Sequence, residues 1–197
     1  MKKTAETDHS ILPVLAERWS PRAFADQDVE DATLSRLFEA ARWAPSCFNA
    51  QPWGFVVARR DQQDAYKQLL GLLMPGNQSW AKAAPVLIIG VCQTTFPHNG
   101  KPNAHAWYDL GQSVANLSTQ ATHEGLSMHQ MAGFRRADAP LELGLPEGWV
   151  AVVAIALGLP GEPEQLIDDM ATREKAPRVR KPQSDFVFTG AWGQDRS

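Results

Sequence analysis

The stretch Ala44-Pro45-Ser46-Cys47-Phe48-Asn49-Ala50-Gln51-Pro52-Trp53 holds a hydroxyl, a thiol and two carboxamides close together. Pro45 and Pro52 restrict its ends, because each fixes its own φ and pushes the preceding residue towards extended geometry. Ser46, Asn49 and Gln51 can then present donors and acceptors to a flat polar ligand. A structural corner is the competing reading, although plain connections usually run to about two to six residues. A second constellation is Arg18-Trp19-Ser20-Pro21-Arg22. Two guanidiniums four residues apart, with a hydroxyl between them, suit the oxygens of a dianionic phosphate. The same composition also fits a solvated basic turn. Arg178-Val179-Arg180-Lys181 is a third cationic stretch, and a solvated face is its plain alternative.

Other patterns carry less. No sequence feature brings a histidine to Cys47, which a catalytic thiol would need for activation. His98, His105, His123 and His129 lack the paired spacing of a metal site and read as surface or core-edge histidines, so no metal is expected. Gly158-Leu159-Pro160-Gly161 lacks the three-glycine spacing of a dinucleotide fingerprint and contains proline.

These groups need elements to position them. Ser10 is expected to cap a short helix running towards Trp19, with Pro13 in its first turn. Asp31 to Trp43 has Leu34, Leu37, Phe38 and Ala41 at helical spacing and delivers the Pro45–Pro52 loop; Trp53 to Ala58 is the strand that follows. Asp61 to Leu73 reads as a second amphipathic helix, closed by Met74-Pro75-Gly76. Ala83 to Cys92 is a continuous apolar run, expected to be a strand buried on both faces. The longest helix is predicted over Ala104 to Glu124, with Trp107, Leu110, Val114, Leu117 and Ala121 along one stripe and Gly125 as its C-cap. Leu126 to Met131 and Gly148 to Gly158 read as two more strands, with a short helix from Phe134 to Leu143 between them.

Composition narrows the class. With 44% hydrophobic and 21% charged residues over 197 positions, the chain is expected to be one soluble globular domain spanning 1–197. A net charge of −3 gives no reason to expect nucleic acid. The Ala83–Cys92 run is about half the length needed to cross a bilayer, and the basic start has no apolar stretch behind it, so neither membrane nor signal peptide is expected. Two cysteines cannot build a disulfide framework and fit a reducing, cytoplasmic setting. Seven tryptophans point to a ligand site or a subunit interface.

The Pro45–Trp53 loop resembles the signature loop of the nitroreductase family, flavoenzymes that use FMN and a nicotinamide. The resemblance extends from about Glu17 to Gly193. It takes in the Arg18–Arg22 motif, the stretch Asp109 to Leu126 that resembles the family's central helix, and the basic tail Arg178-Val179-Arg180-Lys181-Pro182. It implies an α+β fold, with a mostly antiparallel central sheet flanked by helices and a long central helix at a dimer interface. Gly111, Ser113, Ala115 and Ser118 would allow close helix approach there. Residues from about 160 to 197 would extend over the partner, and the segment to Trp192 and Gly193 would add an edge strand to it.

By the same resemblance, Arg18 and Ser20, with Trp19 between them, would meet the FMN phosphate and ribityl chain, while Arg22 would lie at the pyrimidine edge and stabilise negative charge on reduction. Arg178 and Arg180 would complete the phosphate site. Pro45, Ser46, Cys47, Asn49 and Gln51 would line the flavin, crossing to the partner's cofactor. Asn77 would bond the ring, and Met131, Ala132 and Gly133 would face it, an amide near Ala132–Gly133 bonding N5. Trp80 stands where some relatives carry lysine, which removes a cation from the N1/C2 region.

The implied activity is hydride transfer from NADH or NADPH to flavin N5 and on to nitroaromatic or quinone-type acceptors by ping-pong kinetics, with no obligatory side-chain acid or base. Reductive dehalogenation, flavin-consuming chemistry, or flavin binding with little turnover are the alternatives on this scaffold. A binding module without flavin is the remaining one. The implied partners are a small-molecule acceptor and a second copy of the chain.

Overall fold

The computed structural model describes residues Lys3–Gln194. Its centre is a four-stranded sheet of β1 (Trp53–Arg59), β2 (Val86–Gln93), β3 (Ser127–Met131) and β4 (Trp149–Gly158). The spatial order is β1-β2-β4-β3 and every pair is antiparallel. The long apolar run in β2 is explained by helices on both faces. Val86, Ile88 and Cys92 point into a cluster with Leu34, Leu37 and Ala41 of α2 (Asp31–Arg42) and Leu110, Val114 and Leu117 of the long α5 (Ala106–His123). Leu87, Ile89 and Val91 meet Leu69 and Leu72 of α3 (Gln63–Leu72) and Trp80 of α4 (Pro75–Ala81) on the other face. β2 keeps its period of two throughout, and the interruption falls in β4, where Val152 and Val153 pack on the same face. The register steps from Gly90↔Val153 to Val91↔Ala151, which leaves Val152 as a bulge. Its carbonyl accepts Arg136 Nη2 at 3.0 Å.

The end of α5 follows from Gly125, whose φ of +77° is left-handed. Gly125 N–H donates to Thr122 O, and Leu126 N–H to Ala121 O at 2.8 Å, the paired bonds of a Schellman cap. The small residues of α5 divide between two faces. Ser113 Oγ donates to Ala41 O at 3.0 Å and ties α5 to α2, and Ser118 is buried, whereas Gly111 and Ala115 are exposed. Trp107, read as part of the buried stripe, is 47% exposed.

Three local expectations change. The first helix, α1, is only Pro13–Glu17, and Leu12 rather than Ser10 is its N-cap, without a side-chain cap. Pro13 at the first helical position holds the preceding residue extended, so the helix cannot start earlier. Met74-Pro75-Gly76, expected to close a helix, instead opens α4, which Pro75 starts by the same means and which contains Asn77. The expected helix from Phe134 shrinks to the single turn α6 (Ala139–Glu142), because Phe134 is taken up in a bridge with Leu73.

The two chain ends converge. Ala25 N–H donates to Leu159 O, and Phe24 bridges Pro160. Beyond them, α7 (Asp168–Lys175) packs its Glu174 under the segment that follows α1.

Candidate ligand-binding site

Arg18, Arg178 and Arg180 come together where the chain ends meet. Burial, then the neighbouring Arg178 and Arg180 guanidiniums, pushes the pKa of Arg18 below its ordinary value. Burial and Arg180 act in the same direction on Arg178. Like charges gathered in this way raise the free energy of the corner until an anion arrives. Their donors are committed to different degrees. Arg178 gives Nη1 to the carbonyls of Lys3 (2.8 Å) and Ala16 (2.6 Å) and Nη2 to that of Arg18 (2.8 Å). It is thereby a clamp between the chain ends. Among the described residues, Arg18 Nη1 donates only to Ser20 Oγ, at 3.2 Å, and Arg180 Nη1 only to the adjacent Val179 O. Most donors of these two guanidiniums are therefore open. Trp19 turns its ring under the Lys3 ammonium, 4.9 Å from the centroid.

Arg22 is held by Glu174, which is 2% exposed. Glu174 Oε1 accepts the backbone N–H of Arg22 at 2.6 Å and of Ala23 at 3.1 Å. Its other oxygen lies 3.8 Å from Arg22 Nη1. From β3, His129 fastens the same turn through Nδ1 and Pro21 O, 2.9 Å apart. The His129 ring rests against Trp80 (centroids 4.5 Å apart), and Trp80, only 4% exposed, stacks on Phe24. An indole thus fills the core at this position and brings no charge to it. Asn77 Nδ2 donates to Gly133 O at 2.9 Å, leaving Oδ1 without a hydrogen-bond donor among the described residues. Gly133 leaves room for this contact, because a Cβ there would lie 2.7 Å from Asn77 Nδ2 and displace the carboxamide. Met131 is buried at the end of β3, and Ala132 beside it is exposed.

Desolvation lowers the His129 pKa to about 4, against weaker opposition from its backbone bond to Pro21. An unfolded histidine takes its proton near pH 6.5, so the folded state is at full advantage above that pH. The advantage falls as pH drops from about 6.5 to about 4 and changes no further below. Urea denaturation should show a loss of up to about 3 kcal/mol across this window. His129→Asn should flatten it; an unchanged slope would assign the acid sensitivity to other groups.

The Pro45–Pro52 loop makes no hydrogen bond, ion pair or ring contact with these groups among the described residues. It is strained: Phe48, Asn49 and Gln51 have φ of 52°, 53° and 47°, a region that costs a non-glycine residue roughly 1–3 kcal/mol. Local bonds hold it there. Gln51 N–H donates to Ser46 Oγ at 3.0 Å, Gln51 Nε2 to Asn49 O at 3.0 Å, and Cys47 N–H to Asp109 Oδ2 at 3.1 Å. Gln112 Nε2 reaches Pro45 O at 3.5 Å. Phe48, 81% exposed, leans on Phe96.

Sequence reasoning missed Asp109, Glu174 and the part played by His129. Asp109 had little signal, since a residue next to Leu110 is turned about 100° from it around the helix and lies off the expected stripe. It is 2% exposed. Glu174 had none, because the helix sequence Asp-Asp-Met-Ala-Thr-Arg-Glu-Lys reads as wholly solvated.

Fold and site together define an α+β protein whose cationic corner, closed by both chain ends, is suited to an anionic ligand. The model of the family described as Nitroreductase family matches residues 15–75 and 72–159. A solved structure described as an oxidoreductase containing FMN superposes with a TM-score of 0.91 at 35% identity, covering 97% of each chain. A 15.4 kDa protein of Mycolicibacterium smegmatis is 34% identical over 146 residues, 71% of this chain and 97% of that one. An NADH dehydrogenase of Thermus thermophilus is 29% identical over 190 residues, 78% and 91% of the two chains. The chain belongs to the nitroreductase family.

Proposed function

We propose that the protein is an FMN-dependent oxidoreductase that draws reducing equivalents from NADH or NADPH and delivers them to a nitroaromatic or quinone-type acceptor. The observation that carries this reading is the Arg18–Arg178–Arg180 corner, where like charges are crowded and two of three guanidiniums keep open donors. Such a set fits a phosphate monoester. The 35% identity over 97% of a structure described as containing FMN supports the choice of flavin. When bound, FMN supplies the redox chemistry, accepting a hydride equivalent from the nicotinamide and passing electrons to the acceptor.

The residues divide the remaining work. Arg18 and Arg180 bind the phosphate, with Ser20 beside them, and Arg178 fixes the wall on which they stand. Arg22, held by Glu174, offers a positive charge to the ring's pyrimidine edge, a role that electrostatics favours on reduction. Asn77 Oδ1 would accept from the ring, and the backbone N–H groups of exposed Ala132 and half-buried Gly133 would donate to it. Trp80 excludes water beneath this edge in place of a cation.

The reading includes a homodimer. Among the described residues the strained Pro45–Gln51 loop makes no hydrogen bond, ion pair or ring contact with these groups, and exposed Trp43 (72%), Phe48 (81%) and Tyr108 (68%) give its neighbourhood an apolar surface suited to a second copy. A cytoplasmic setting belongs to the same reading and is supported by two free cysteines. No helix among the described residues is long and apolar enough to cross a membrane.

The test is the visible spectrum of the purified protein, followed by NADH or NADPH without oxygen. Flavin bands that bleach within seconds, and return when a nitroaromatic or quinone is added, are the expected outcome. Absence of flavin bands after reconstitution with FMN would reject the reading.

A further inference from the structure

The segment Lys3–Ala5 lies against the arginine corner and is tied there through polar groups. Ala5 N–H donates to Ala16 O at 2.8 Å. The Lys3 carbonyl accepts Arg178 Nη1, also at 2.8 Å. Lys3 Nζ donates to the backbone carbonyl of Glu174, and the same ammonium stands over the Trp19 ring. Glu174 lies in the last turn of α7, where carbonyls lack helical partners and a cation is favourable. Apolar packing contributes little. Thr4 is exposed, Lys3 and Ala5 are half-buried, and a cavity of about 130 Å³ opens at Lys3, Thr4, Trp19, Leu126 and Ser127.

Arg178 can act as scaffold only while its acceptors stay in place. Its Nη1 is shared between Lys3 O and Ala16 O, and Ala5 bonds to that same Ala16 carbonyl. A chain of contacts thus runs from Arg178 through Lys3 to Glu174, whose carboxylate holds the turn carrying Arg22. We propose that Lys3 is a positioning residue of the phosphate site. Its ammonium, seated on Glu174 O and Trp19, fixes the carbonyl that holds Arg178 and thereby the spacing of the Arg18–Arg178–Arg180 set. Without it Arg178 loses a fixed acceptor and takes several orientations. The cost falls on a phosphate, which needs the guanidiniums in register, and not on the flavin ring. This role rests on the flavin reading and adds a residue to it.

Fluorescence titration of the full-length apoprotein with FMN and with riboflavin tests the role. Lys3→Met should weaken FMN about twofold to thirtyfold, the range for a residue that acts through another, and leave riboflavin unchanged. Lys3→Arg keeps a cation over the indole and a donor for the Glu174 carbonyl, and should restore the parental affinity. Ala5→Pro removes the N–H bonded to Ala16 O, leaves the charge intact, and should reproduce the loss for FMN alone. Equal losses for the two ligands would show a merely structural part and overturn the proposal, as would undiminished FMN affinity in Lys3→Met or no rescue by arginine. A loss in Lys3→Met that Ala5→Pro does not share would assign the effect to charge alone and would also overturn it. A parent protein that takes up no FMN would reject the flavin reading and this role with it; a parent that binds FMN, beside variants that fail these tests, would reject the role of Lys3 only.

Discussion

Replacing Arg18 and Arg180 together with alanine is expected to weaken FMN binding by about a hundredfold to ten-thousandfold. A hydrogen bond to a charged group contributes about 1.5–3 kcal/mol, so two lost guanidinium contacts remove about 3–6 kcal/mol. The fold should survive, because the side-chain bonds of both residues are local, to Ser20 Oγ and to Val179 O. Relief of like-charge crowding should leave the melting temperature unchanged or slightly raised. Arg178 is unsuitable for this experiment, since its three carbonyl partners make it part of the scaffold. Fluorescence titration of the apoprotein with FMN measures the effect, and riboflavin, which lacks the phosphate, should lose little. Equal losses for the two ligands, or none for FMN, would reject the phosphate assignment.

Glu174→Ala should be the most destabilising single change near the site, by about 3–5 kcal/mol. It strands the Arg22 and Ala23 N–H groups in a buried place and removes the carboxylate facing the Arg22 guanidinium. The guanidinium left behind is 31% exposed and can be solvated, so most of the loss comes from the two N–H groups left without an acceptor. For a chain of this size the melting temperature should fall by about 6–20 °C. Glu174→Gln keeps an acceptor for the two N–H groups and should recover part of the loss. The difference between the variants reads the charge alone. A melting temperature within about 2 °C of the parent in Glu174→Ala would mean that water replaces the carboxylate.

The two effects separate by location. Glu174 braces the turn that carries Arg22 from beneath, and Arg18 and Arg180 act at its surface. The first should change stability with binding following, the second binding alone. Measuring both quantities on both variants checks that division.

Much of the fold could be read from periodicity, because periodicity records burial. The run through β2 alternates perfectly between two helical layers, and α5 ends at the glycine expected to end it. The misreadings share one cause. A capping serine, a short helix at Phe134 and the place of Ser113 and Ser118 on an open helix face are local patterns, and each was overruled by contacts distant in sequence or by proline geometry. Ser113 shows this well. It looked like room for a second subunit, and within the chain it is bonded to a carbonyl of α2.

By itself the sequence determined the family, the antiparallel α+β sheet and the residue types gathered for an anion, since each depends on side-chain identity and near-neighbour spacing. Only the tertiary structure decided which arginine is scaffold and which keeps open donors. It also decided that Asn77 occupies the space Gly133 leaves, and that Glu174, on an apparently solvated helix, is buried. The physical reason is that burial and hydrogen-bond partners are properties of pairs of groups far apart in the chain, and Glu174 meets Arg22 only after the whole sheet has been built between them.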